Sequence, residues 1–288
     1  MELRQLRYFL KAKELLNFTE AAAALNISQS TLSQQVKQLE DELNIPLFNR
    51  IGKRITVTEA GHLFSEYALQ SINRANEGLL LLRDLKNLNT GKITIGVIYS
   101  MRILFAKILI RFANQYPNIQ IKVVFGTTKD LLERLNQHHF DFILTFHDEP
   151  LEPHLKYQTL LKANMVLVTA RNSSLAHKAT ISLQEVAELP LALPFSGNNS
   201  IQFFDESFGQ KNLVPNICME INDIPTLFEI VKSGRWHTIL SETSVNDPDV
   251  AAIPIDGKNM RRTIRIISLR EAYEKKAVTK FCEMLTEI

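Results

Sequence analysis

Residues 19–36 read Thr19-Glu20-Ala21-Ala22-Ala23-Ala24-Leu25-Asn26-Ile27-Ser28-Gln29-Ser30-Thr31-Leu32-Ser33-Gln34-Gln35-Val36, and Leu47-Phe48-Asn49-Arg50-Ile51-Gly52-Lys53-Arg54 follows a short way downstream. An alanine-rich helical segment yields to a short turn, and a second helical segment opens on a serine that can cap it. In that second segment Leu32, Val36, Leu39 and Leu43 recur at steps of four, three and four, the spacing of a buried helical stripe. Gln29, Ser30, Ser33, Gln34 and Lys37 are left on the outward side. Amide and small hydroxyl side chains on a short exposed helix suit base edges in a major groove. The basic hairpin around Gly52 suits phosphate. The stretch therefore reads as a winged helix-turn-helix for double-stranded DNA.

The flanking residues complete that unit. Leu3, Leu6, Phe9 and Leu10 predict a first helix that covers the two reading helices, and Thr19 is the expected N-cap of the second. Pro46 disfavours helical geometry at Ile45 and ends the third helix. Leu47-Phe48 and Ile55 to Val57 then make two short strands, with Gly52 at the turn. Thr58-Glu59-Ala60-Gly61 starts a long helix whose apolar stripe is Phe64, Ala68, Ile72, Ala75, Leu79, Leu82 and Leu85. Such a helix between two domains has nothing of its own to bury against, so the expectation is pairing with a second copy of the chain.

From Gly91 the rhythm alternates. Strands are expected at 92–97, 119–125, 140–146, 164–169, 191–193, 217–221, 238–240 and 263–269. Helices are expected at 101–115, 129–138, 199–210, 224–233 and 271–287. That alternation predicts doubly wound α/β units with parallel strands.

The bulk numbers fit this division. A chain of 288 residues has room for two or three domains, and 45% hydrophobic with 22% charged residues is an ordinary globular composition. The net charge is only +2. Residues 1–58 hold eight Lys/Arg against six Asp/Glu, so the basic charge is local and a dimer is needed to double the phosphate contacts. Cys218 and Cys282 stand alone and form no zinc spacing or disulfide framework, which suits a reducing compartment. Lys11, Lys13 and Glu14 interrupt any N-terminal signal core, and no apolar run is long enough to span a bilayer. The expected location is the cytoplasm, with no membrane partner.

Phe18-Thr19-Glu20-Ala21-Ala22, Leu25 to Ser30, Leu32 to Glu40, Leu43 to Arg50 and Val57-Thr58-Glu59-Ala60-Gly61 resemble, in order and spacing, the LysR-type transcriptional regulators. Ser30 stands where proline is usual, and Thr31 where alanine is. The resemblance continues through Gly91 to Gly96, Phe112, Tyr116-Pro117-Asn118-Ile119, Leu135 and Phe140-Asp141. His138 takes a place where glycine is common. Gly234 to Ser241 resembles a variant of the family's Gly-rich strand entry. The resemblance implies a mixed architecture: a winged helix-turn-helix over 1–58, a linker and dimerisation helix over 59–89, and an effector-binding domain over 90–288. That last domain is expected to be a two-lobed α/β unit similar to periplasmic binding proteins, with lobe I at 91–160 and 266–288 and lobe II at 161–265. It also implies a dimer or tetramer, an operator with an interrupted dyad, RNA polymerase as a further partner, and a small-molecule effector between the lobes.

Two candidate sites follow. At the DNA face they are Thr19, Ser28, Gln29, Ser30, Thr31, Ser33, Gln34 and Lys37, with Arg50, Lys53 and Arg54 from the wing. Gln29 and Gln34 can pair with adenine, and the helix start at Ser28 favours phosphate. In the effector domain the polar residues just after strands are Tyr99, Ser100, Met101 and Arg102, then Thr127, Thr128 and Thr145, then Phe195, Ser196, Gly197 and Asn198. The carboxyl ends of strands are where α/β sheets hold ligands, and helix starts there favour a small carboxylate or another compact anion. His138-His139 and His147 with Asp148 and Glu149 meet no metal-ligand template, and neither metal nor cofactor is expected.

Three rivals are weaker. An enzyme lacks support, because no nucleophile elbow, Walker-type phosphate loop, Gly-x-Gly-x-x-Gly after the strand at 92 or paired His/Cys cluster is present. A solute carrier is opposed by the missing export signal and the N-terminal reading unit. A sequence-blind architectural DNA protein would leave the α/β half without a purpose.

Overall fold

The computed structural model describes residues 1–51, 54–86, 91–148, 151–194, 207–257 and 260–287. They fall into two compact units, Met1–Lys86 and Asn87–Ile288.

The first unit contains α1 (Leu3–Leu15), α2 (Phe18–Ala24), α3 (Gln29–Leu43), β1 (Phe48–Ile51), β2 (Arg54–Val57) and α4 (Glu59–Lys86). Helix α1 buries Leu6, Phe9 and Ala12 and stops at Leu16, which turns left-handed at φ 48. The cap of α2 is Asn17, not Thr19: its side chain accepts from the amides of Thr19 at 2.9 Å and Glu20 at 3.3 Å. Asn bonds backbone amides as well as Thr does, and two residues earlier its oxygen faces two of them. Leu32, Val36 and Leu39 of α3 are fully buried as their spacing predicts. Phe48 meets the rings of Phe9 and Phe18 edge-on, each at 5.5 Å, so the wing's first residue is also core.

Helix α4 corrects one expectation. Its first half has a partner within its own unit, because Ala68 and Ile72 are buried and Phe64 half-buried in the same core as α1, with Phe64 5.6 Å from Phe9. Only further along does the stripe surface: Leu79 and Leu82 are 54% and 58% exposed. Gly61 explains the close docking at the helix start. A Cβ there would lie 2.3 Å from the Leu47 carbonyl oxygen and 2.7 Å from Val57.

The second unit begins with β3 (Gly91–Ile98), a 3-10 turn at Tyr99–Met101, α5 (Arg102–Gln115), β4 (Ile119–Gly126), α6 (Thr128–Asn136) and β5 (Phe142–Phe146). It continues through β6 (Leu155–Ala170), β7 (Ile181–Ser182), α7 (Leu183–Glu188), β8 (Leu191–Leu193) and β9 (Ile217–Glu220). Then come α8 (Ile224–Lys232), β10 (Thr238–Ser241), a 3-10 turn at Glu242–Ser244, β11 (Val250–Asp256), β12 (Arg261–Leu269) and α9 (Lys276–Thr286). Most of the helix expected at 199–210 lies outside the described residues; 207–209 are helical.

The main sheet runs β4-β3-β5-β12-β6-β11-β7, with β10 also on β6. Parallel pairing joins β3 to β4 and β5, β8 to β9, and β11 to β7. Strand β12 is antiparallel to both β5 and β6, so the sheet is mixed rather than wholly parallel. The reason is β6, which is sixteen residues long instead of six. It pairs with β12 over residues 155–164 and with β10 and β11 from 165 onward. Side chains alternate across a strand. Met165 and Leu167 therefore enter one core with Ile181, Val186 and Ile239, while Val166 and Val168 enter another with Phe228 and Val231. A third core gathers Ile93, Ile95, Phe105, Phe112, Phe142 and Phe281. His138 sits at φ 59 in the left-handed end of α6, which is why glycine suits that place.

Candidate nucleic-acid interface and effector cleft

In the first unit, Ser28 caps α3 by accepting from the Thr31 amide at 3.1 Å. Its hydroxyl also lies 2.9 Å from that of Ser30 and 2.7 Å from that of Thr31, which ties the three into one polar cluster at the helix start. Gln29, Ser30, Thr31, Gln34 and Lys37 are exposed and Ser33 half-buried, so the outward face is the one that periodicity marks. Thr19 is exposed on the first turn of α2. Arg50 and Arg54 occupy opposite strands of the wing, in pairs Arg50–Ile55 and Ile51–Arg54. Lys53 lies outside the described residues.

Sequence reading missed Glu40. Its Oε1 accepts from the amides of Leu47 at 2.8 Å and Phe48 at 3.0 Å, and so pins the entry of the wing to the reading helix. The spacing of seven and eight residues, across a proline, gives no local signal. On the far side Thr58 donates to the Pro46 carbonyl at 2.8 Å and accepts from the Gly61 amide, so both roots of the wing are bonded.

In the second unit a small cavity opens at strand ends, with about 40 Å³ accessible to the centre of a water molecule. Tyr99 and Ser100 follow β3, Thr128 opens α6, and Phe146 ends β5. From the other side come Pro194 after β8, Ile224 at the start of α8, Leu240 and Ser241 at the end of β10, and Ser244. The Ser100 and Ser244 hydroxyls are buried and have no partner among the described residues. Buried polar atoms are nearly always bonded, so two orphans facing one cavity mark a place where something else supplies the bonds. Thr145, fully buried behind the wall, donates to the Thr128 hydroxyl at 2.6 Å, so the Thr128 hydroxyl accepts there and keeps its own proton to donate. No lysine, arginine, aspartate or glutamate among the described residues lines the cavity.

The structure thus brings together Tyr99, Ser100, Thr128 and, one bond behind, Thr145. Met101 is corrected: it is fully buried in the core with Phe105 and Phe112. Thr127 is occupied as the cap of α6, accepting from Asp130 at 3.2 Å. Arg102 is exposed and does not line the cavity. It contributes to holding the Asp223 carboxyl below its usual range, after the hydrogen bonds from the Thr226 hydroxyl and amide. Phe195, Ser196, Gly197 and Asn198 lie outside the described residues. Ser241 and Ser244 were missed, although they obey the same rule of polar residues after a strand.

No cluster of three metal-ligating side chains occurs among the described residues, and none of the helices there is long and apolar enough to cross a membrane. A winged helix-turn-helix with a polar outward face, joined to an α/β unit whose strand ends meet at a cavity that holds buried hydroxyls, defines a DNA-binding transcriptional regulator with an effector-binding domain.

The family models agree with that class. Residues 3–62 match the bacterial regulatory helix-turn-helix of the lysR family, and residues 86–288 match the LysR substrate binding domain. The chain belongs to the LysR family of transcriptional regulators. It is 30% identical over 256 residues to an uncharacterized HTH-type transcriptional regulator, YwqM, of Bacillus subtilis, covering 88% of this chain and 86% of that protein. Among solved structures, a full-length OxyR variant from Pseudomonas aeruginosa matches with a TM-score of 0.77 at 22% identity, covering 99% of this chain and 94% of that one. Full-length CbnR complexed with its target DNA matches with a TM-score of 0.67 at 22% identity, covering 100% and 99%. The family is one of regulators rather than enzymes.

Proposed function

We propose that this regulator reads an operator with an interrupted dyad through α3, and that a compact anionic effector, such as a small carboxylate, controls it from the cavity at the strand ends. Gln29, Ser30, Ser33, Gln34 and Lys37 face the major groove. Thr19, Ser28 and Thr31 hold phosphate at the helix starts, and Arg50, Lys53 and Arg54 hold it at the wing. Two copies pair along the exposed later half of α4, where Leu79 and Leu82 lie bare, and two dimers form a tetramer. Residues 1–58 form the reading domain, 59–89 the linker and 90–288 the effector domain. Lobe I takes 91–160 with 266–288, and lobe II takes 161–265. The protein works in the cytoplasm beside RNA polymerase.

The observation that carries the effector reading is the pair of orphaned hydroxyls, Ser100 and Ser244, which reach one cavity from opposite sides. Hydroxyls and helix starts without a cationic side chain favour a small oxygen acceptor. Its binding draws the two sides together, and that shift in the population of closed domains reorients the paired reading units.

Genomic DNA capture by the purified protein at physiological salt tests the DNA half. A few interrupted inverted repeats, with half-sites whole helical turns apart, are expected; uniform binding that salt erases refutes it. The neighbouring genes then nominate effectors for comparison with Ser100→Tyr, which fills the cavity. That variant is expected to keep its operator and lose its response; a full response in the variant refutes the cleft assignment.

A further inference from the structure

A second cavity lies at the opposite end of β5. The strand-end cavity is lined by the last residue of β5, Phe146, whereas this one is lined by the first, Phe142. It is closed by β6, β12 and α9, and about 90 Å³ of it is open to the centre of a water molecule, against about 40 Å³ in the cleft. Its floor is apolar: Phe142, Ile266 and Val278 are buried, and burial pushes the Cys282 thiol up to about 12, so it is neutral.

The rim is different. The Arg270 guanidinium is held in place by two main-chain carbonyls, with Nε donating to Pro153 at 2.9 Å and Nη2 to Leu155 at 3.3 Å. No carboxylate among the described residues forms an ion pair with it. Lys156 stands beside it and pairs with Glu274 at 2.8 Å, but both are about half exposed, so that pair is weak and exchangeable. Asp141, the other acid of the wall, is already neutralised by Lys275 at 2.8 Å and by the Thr94 amide at 2.7 Å. Gln158 and Ser268 make the rest of the wall polar, so the apolar part is limited to the floor. A fixed guanidinium beside such a floor fits a ligand with one charged end and one short apolar end.

We propose that this cavity is a second ligand site, separate from the cleft, for a small aliphatic monocarboxylate of roughly four to six carbons, a size set by room for roughly six to nine water centres. The carboxylate lies on Arg270 with help from Lys156, and the chain lies among Phe142, Ile266, Val278 and Cys282. Strands β6 and β12 both form its wall, and β6 runs on to pair with β10 and β11. A ligand here grips the strand that traverses the whole domain, so it is placed to tune the response independently of the cleft.

Calorimetric titration of the full-length protein tests this with pentanoate, using pentanamide as the neutral isostere. Pentanoate is expected to bind, and pentanamide to bind at least about tenfold more weakly, the worth of one charge-assisted contact. Arg270→Gln should weaken pentanoate by a similar factor, and Cys282→Phe, which fills the floor, should abolish it. Arg270 is exposed at the rim, so its variant keeps the test valid if the Phe variant fails to fold. The proposal is overturned by no binding at about 10 mM pentanoate, which is a threshold of only a few kcal/mol. Equal binding of the amide also overturns it, as does binding that survives Arg270→Gln but disappears in Ser100→Tyr.

Discussion

Replacing Glu40 by alanine isolates what holds the wing to the reading helix. One carboxylate oxygen accepts two amides, Leu47 at 2.8 Å and Phe48 at 3.0 Å. Hydrogen bonds to a charged group contribute about 1.5–3 kcal/mol each when water is excluded. Glu40 is only half-buried, so water reaches the freed amides and the two bonds together are worth about 2 kcal/mol. That corresponds to about a 30-fold rise in local opening. Amide hydrogen exchange of residues 45–50 in the full-length protein reads it directly, and Glu40→Gln, which retains an oxygen acceptor, should accelerate exchange several-fold less. Operator affinity should fall with Glu40→Ala and its salt slope should shrink, as wing phosphate contacts loosen. Exchange of 45–50 within about threefold of the unmodified protein, less than 1 kcal/mol, would refute the reasoning.

Four further outcomes are expected. Leu16→Gly should stabilise the first unit by about 0.5–1 kcal/mol in thermal melts, because Leu16 is exposed and held at φ 48, where only glycine escapes the Cβ penalty. His237 is kept neutral by burial, its pKa held below 6.5, beside the Thr169 hydroxyl at 3.0 Å. The unfolded chain protonates it first, so stability present above pH 6.5 is lost as pH falls below that value; His237→Gln should flatten that part of the melting curve against pH. Gln34→Ala should relax discrimination at one or two operator positions by about 1–3 kcal/mol. Lys53→Ala should instead weaken all sequences alike and lower the salt slope by about one per site, as footprinting and salt titration can separate.

The first unit was legible because its signals are local. The spacing of Leu32, Val36 and Leu39 determined which side of α3 is buried, and the outward face followed by subtraction. Even there the cap moved from Thr19 to Asn17, since two polar residues flanking Phe18 could each open the helix and only the backbone path chooses where it starts. The fate of α4 was not local. Phe64, Ala68 and Ile72 look identical in sequence to Leu79 and Leu82, but α1 covers the first three and leaves the others bare.

In the second unit the alternation of strands and helices determined the class but not the sheet. Residues 155–163 mix polar and apolar positions too irregularly to announce the first half of β6, and the antiparallel placement of β12 depends on a partner one hundred residues away. The cleft shows the same division. Ser100 and Thr128 were found because a polar residue after a strand is a local pattern. Ser244 had the pattern too, yet nothing in the chain says that its hydroxyl and that of Ser100 end at one cavity. Periodicity and caps are written in neighbouring residues; which strand ends meet is decided by pairing between distant ones, and only the folded chain supplies that.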